Sequence, residues 1–186
     1  MERLFRNLTY DIRNNRIVLF IKNIWRFRVP LSRHQWWDYS YTLEMMQKSL
    51  QIISKGIEKD GHEIDEFRLK KVKAINRCIE LIENKIQDNY LQRAEEKYGE
   101  FKFSLTNNPK LSSEEKRTNE KISNHAKNLE ISEWNELWRT IEGTSYTEWE
   151  SYRDKEFTET QKKDAGLMET EYRKWYDGSD MRGWWD

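Results

Sequence analysis

The stretch "YSYTLEMMQKSLQIISKGIEKD", Tyr39 to Asp60, places apolar residues at Tyr39, Leu43, Met46, Leu50, Ile53 and Ile57. The steps alternate between four and three, which makes one stripe of a helix packed in a bundle or coiled coil. "KDGHE", Lys59 to Glu63, then provides a turn. Beyond it the scheme repeats with Val72, Ile75, Ile79, Ile82, Ile86 and Tyr90, while Lys70, Lys71, Lys73, Glu80, Glu83 and Lys85 occupy the other faces. This second helix is expected from about His62 to Tyr98, closed at Gly99, where glycine can take a left-handed cap. At ~1.5 Å per residue it would be roughly 55 Å long, so it would outrun its partner and offer a surface to another chain. The expected fold is all-α: a helical bundle built on a long antiparallel hairpin at about 38–99. Only two prolines, Pro30 and Pro109, occur, and neither interrupts a helical pattern.

Upstream, Ile17, Phe20, Ile21, Ile24 and Trp25 share a helical face, and Arg13, Arg16, Lys22, Arg26 and Arg28 lie mostly elsewhere. A strand is the minor alternative for this β-branched run. A basic amphipathic helix can lie on an anionic membrane, but a core face is the simpler reading, and no membrane partner is expected. Downstream, no aromatic residue occurs between Phe103 and Trp134. The polar segment at about 104–130 reads either as an exposed helix begun by a capping box from Ser112 to Glu115 or as a mobile connector. Trp134, Leu137, Trp138 and Ile141 then form a short helical face ending at Gly143. Thr147 to Glu150 offers another capping box, opening a segment with Trp149, Tyr152 and Phe157. Met168, Tyr172, Trp175 and Tyr176 follow at helical spacing.

The 186 residues suit a single helical domain able to bury its core without staples. The one cysteine, Cys78, has no disulfide or zinc partner and reads as a buried structural thiol in a reducing cytoplasm. Lys+Arg and Asp+Glu balance at 33 each, which removes the simple argument for a nucleic-acid-coating protein; no sequence-specific nucleic acid is expected. The charges are nonetheless segregated. Met1 to Trp37 holds eight Lys/Arg against two Asp/Glu, and Glu142 to Asp186 holds seven against twelve. The two ends should attract each other, within a chain or between chains. The first apolar run, Ile17 to Ile21, is far shorter than the ~20 residues of a membrane span, so a soluble, cytoplasmic protein is expected.

His34, His62 and His125 are isolated from other ligands at metal spacing, and the chain carries no P-loop, dinucleotide fingerprint or nucleophile motif. No catalytic residue, metal or cofactor is assigned, and the protein is expected not to be an enzyme. The nine tryptophans are more informative. All lie either at Trp25, Trp36 and Trp37 or from Trp134 onward, leaving the hairpin without any. The ends are expected to form one aromatic layer, with Asp38, Asp177, Asp180 and Asp186 as acceptors for indole N–H groups.

Two readings of "RHQWWDYSY" (Arg33 to Tyr41) and "DGSDMRGWWD" (Asp177 to Asp186) stay open. In one, the terminal tryptophans lock the tail onto the bundle and Arg182 pairs with a buried aspartate. In the other, Arg26, Arg28, Arg33, Trp36, Trp37, Tyr39, Tyr41, Arg182, Trp184 and Trp185 line a ligand site, because flat rings stack bases while guanidinium groups hold phosphate. With "IWRFR…WWDYSYTLEMM", "AINRCIELIENKIQDNY" and "DGSDMRGWWD", the chain resembles small helical proteins of tailed bacteriophages, except over about Leu105 to Asn128. The resemblance implies a phage gene product acting in the cytoplasm of a bacterial host, and it carries over no functional residue. The expected function is to bind and sequester a small nucleotide-like anion as a counter-defence sponge. The alternative is a helical interaction or structural module acting on a host or phage protein. The long helix, the segregated charges and the aromatic ends also predict a homo-oligomer.

Overall fold

The computed structural model describes residues 15–33, 35, 37–61, 65–103, 111–144 and 146–185, with backbone alone for Asp60, Tyr146 and Trp185. Among them every regular element is helical: α1 (Arg16–Arg33), α2 (Tyr39–Asp60), α3 (Asp65–Gln87), α4 (Tyr90–Tyr98), α5 (Ser113–Glu142), α6 (Tyr146–Glu156), α7 (Glu159–Lys162), α8 (Ala165–Trp175) and a closing 3-10 turn (Met181–Trp185). The all-α class follows. Two compact units are distinguished, up to Lys48 and from Ser49, with the boundary inside α2.

In the first unit α1 departs from the core face expected of it. Ile17, Phe20 and Ile21 are 60–68 % exposed and Trp25 is 67 % exposed, while Pro30 is its buried residue. Trp37 and Tyr39 are also largely exposed. Leu43, one position along the expected α2 stripe, is buried.

In the second unit Leu50 continues that stripe, and Ser54 donates to the Asn76 side chain at 2.9 Å, tying α2 to α3. On α3 the buried residues are Lys71, Ile75, Cys78, Leu81 and Ile82. Part of the expected stripe is there, joined by the thiol and by Leu81. The long second helix is interrupted at Asp88, whose φ of 49° is left-handed. A short polar side chain tolerates that region better than most, so the chain bends there before α4. The bend lets Tyr90 and Ala94 sit buried. α4 ends at Gly99, which has the expected positive φ, 98°.

The element that covers α3 and α4 is α5, thirty residues and roughly 45 Å long. Its start is the expected capping box, with Ser112 and Glu115 exchanging hydrogen bonds of 2.8 and 3.2 Å. From Ser113 the segment read as helix or connector is therefore helix, and residues 104–110 lie outside those described. Antiparallel packing is fixed by a ladder of pairs. Arg77 holds Glu136 in a fork at 2.7 and 2.9 Å, Lys85 meets Glu130, and Arg93 meets Glu133 at 2.8 Å. Glu133 is buried and also accepts from Asn84. Ile122, Leu137 and Ile141 supply the apolar side of α5.

Aromatic rings collect around α6 and α8. Trp149, 4 % exposed, lies 5.3 Å from Tyr172 and 5.5 Å from Trp175, centroid to centroid, and Phe67 of α3 lies 5.6 Å from Tyr176. α6 begins at Tyr146, so Thr147 stands inside its first turn and not at the cap expected there.

Candidate ligand-binding groove

The groove forms where α5 ends against the C-terminal segment. Gly143 stops α5 with φ 78° and donates its N–H to Arg139 at 2.8 Å. A side chain there would sit 2.3 Å from the Cβ of Asp180, so the glycine is what allows the two strands of backbone to touch. Asp180 donates its N–H to the Thr140 carbonyl at 3.0 Å. Its own φ of 87° is strained for a non-glycine residue, and its carboxylate offsets this by accepting from the Arg182 backbone N–H and Nε at 3.0 and 2.9 Å.

The segment is anchored on its other side by α3. Gly178, at φ 91°, passes so close to the Lys70 carbonyl that a Cβ would lie 2.2 Å from it. Lys71 donates to the Gly183 carbonyl, and Lys70 to that of Arg173. Trp184 is 2 % exposed, and its indole N–H donates to the Gly178 carbonyl at 2.8 Å. Its acceptor is thus backbone and not one of the aspartates named from the sequence.

The resulting space, about 870 Å³, is lined by Asn135, Trp138, Arg139, Ile141, Glu142, Gly143, Thr144, Glu148, Met181 and Arg182. That size falls within the range of small-molecule sites. Trp138 is 48 % exposed, and its ring makes a T-shaped contact with that of Trp134, 5.6 Å between centroids. Asp180 raises the already high pKa of Arg182, chiefly by hydrogen bonding, so this guanidinium is a permanent cation. Its side chain is 78 % exposed, leaving further N–H groups for a second acceptor. Arg139 adds a second cation; Glu142 and Glu148 add two carboxylates. Such a lining can stack a planar ring, bind an anion and accept hydrogen bonds from amino groups.

Of the residues named from the sequence, Arg26, Arg28, Arg33, Trp37, Tyr39 and Tyr41 belong to the first unit, and Trp36 lies outside the described residues. Arg26 and Arg33 are exposed on α1. Arg28 folds back onto its own helix, its guanidinium 4.0 Å from the Trp25 ring and its NH1 donating to the Trp25 carbonyl at 2.8 Å. Arg182 and Trp184 belong to the second unit and part ways: Arg182 lines the groove, while Trp184 is buried and absent from its lining. The Trp185 side chain lies outside the described residues. Arg182 does pair with an aspartate, the half-buried Asp180. Trp138 and Arg139 were missed as groove residues, although a tryptophan one position beyond the core residue Leu137, followed by arginine, sits off the buried stripe and signals an outward-facing pair. Comparison with protein-family models, with curated proteins and with solved structures finds no match to this chain.

Proposed function

We propose that the protein binds a small nucleotide-like anion in the groove at the end of α5 and releases it unaltered. The observation that carries this reading is the half-exposed Trp138 standing in one lining with Arg139 and Arg182. An indole face covers a base, and guanidinium groups replace the water around phosphate. Glu142 and Glu148 fit the same ligand, because a carboxylate accepts from the exocyclic amino group of a base. In the phage setting that the sequence resemblance implies, such a protein would withdraw a host nucleotide signal. A homo-oligomer belongs to this proposal, and light scattering at micromolar concentration that reports a monomer would count against it.

The test is calorimetry with cyclic di- and trinucleotides and cyclic ADP-ribose isomers, followed by recovery of the ligand after heat denaturation. Arg139→Ala and Trp138→Ala should each weaken binding by about tenfold or more, the worth of one charge-assisted or stacking contact. Altered ligand in the recovered fraction would replace sequestration with catalysis. A panel without any binder would leave the second reading, docking on a host or phage protein, which the exposed Ile131 and Trp138 on α5 favour.

A further inference from the structure

We propose that α1 is a docking element for an anionic lipid bilayer, lying in the plane of its surface. Among the described residues no helix is long and apolar enough to cross a membrane, and α1 has the other pattern, that of an interfacial helix. From Arg16 to Arg33 it carries five Lys/Arg and not one Asp or Glu. At 100° per residue, Phe20, Ile24, Ile17 and Ile21 fall within an arc of about 100°, and Lys22, Arg33 and Arg26 within about 40° on the other side. The apolar arc faces solvent: Phe20, Ile17 and Ile21 are each at least 60 % exposed. A helix with a cationic face and an aliphatic and aromatic face buries the second among acyl chains and sets the first among headgroups.

Charge decides the partner. With no carboxylate of its own, α1 needs a surface that supplies all the counter-charge, and it also needs one that takes up four large apolar side chains. Nucleic acid offers the phosphates but leaves those side chains in water, forfeiting their burial. An anionic bilayer offers both. Arg28, which falls inside the apolar arc, has its guanidinium gathered back over Trp25 at 4.0 Å, and its long stem lets the charge reach the headgroups. Trp25 beside it is the ring type that settles at that depth.

The test is co-sedimentation of the full chain with phosphatidylcholine vesicles and with vesicles that also contain phosphatidylserine. Binding is expected to the mixed vesicles only, and to fall with added salt. Lys22→Ala and Arg26→Ala should each weaken it about fivefold, and the pair Phe20→Ser with Ile21→Ser should abolish it. Melting curves of the variants should match the parent, because these side chains already face solvent; a variant that melts differently is replaced by Ile17→Ser with Ile24→Ser. Equal binding to both vesicle types, binding indifferent to these changes, or binding to neither type would overturn the proposal. Loss of an acidic protein partner or of duplex DNA in the same variants, without any vesicle binding, would overturn it in favour of that partner.

Discussion

Gly178 and Gly56 give opposite expectations for the same substitution. At Gly178 a methyl group would meet the Lys70 carbonyl at 2.2 Å, with the backbone already at φ 91°. Backbone cannot swing aside as a side chain can, so Gly178→Ala should cost about 2–4 kcal/mol. Gly56 lies inside α2 with nothing within 4 Å of a built Cβ, and Gly56→Ala should stabilise by about 0.5–1 kcal/mol through the unfolded chain's lost freedom. Urea melts of the two variants check both signs. Trp184→Ala should cost about 3–5 kcal/mol for the ring alone. Trp184→Phe keeps most of the packing but strands the Gly178 carbonyl, so a loss of about 1–3 kcal/mol is expected. Deleting Trp184 to Asp186 should destabilise at least as much as Trp184→Ala, and an unchanged melting temperature would show that the anchor does not hold in solution.

Between elements, stability is concentrated where α5 meets α3 and α4. Glu133 is buried with Arg93 and Asn84 upon it, and Glu133→Ala would remove the acceptor shared by Asn84 and a partly exposed Arg93, at a cost of about 1–3 kcal/mol. The Arg77 fork holds the Glu136 carboxyl below its ordinary value of 4.5. A depressed carboxyl stabilises the fold above its ordinary pKa, and that stability drains away as pH falls through the lowered value. Melting temperature should therefore drop as pH falls below about 4.5, and drop less in Glu136→Gln, which has no proton to take up. The same interface marks what the sequence could convey. The helices themselves are legible because Leu50, Ile75 and Ile82 recur at helical spacing and are buried. The covering role of α5 is not, because the groups that face α3 and α4 include Glu130, Glu133 and Glu136. As isolated letters these read as solvent-facing charge, and only their arginine, lysine and asparagine partners draw them into the interface, where Glu133 alone of the three is buried. The break at Asp88 is equally hidden, since no glycine or proline announces it. The groove is half legible: Arg182 stands among the candidate ligand residues because guanidinium groups hold phosphate, while Trp138 reads as one member of a helical face with Trp134, Leu137 and Ile141, of which Leu137 and Ile141 are buried.

At the scale of the whole molecule, charge and burial are divided along the chain. The basic, exposed α1 falls in one unit, while the groove, the aromatic cluster and the only cysteine fall in the other. Cys78 gives that second unit an internal reporter. It is fully buried, and burial, reinforced by the charge of Glu136, pushes its thiol up to about 12. At pH 8 the native thiol is both protonated and out of reach, so a thiol reagent must wait for the unit to open. When closing outpaces labelling, the rate measures the open population, which scales with stability. Trp184→Ala, which loosens the anchor onto α3, should then label at least 100-fold faster, the equivalent of its expected cost at a tenfold change per 1.4 kcal/mol. Lys22→Ala on α1 should label at the parent rate. A nucleotide-like ligand held in the groove at one hundred times its dissociation constant should slow labelling about 100-fold, because only the closed form binds it. Should the ligand bind by calorimetry and yet leave the rate untouched, the groove would lie in a part of the unit that stays intact while Cys78 becomes accessible, and opening would be local, not cooperative.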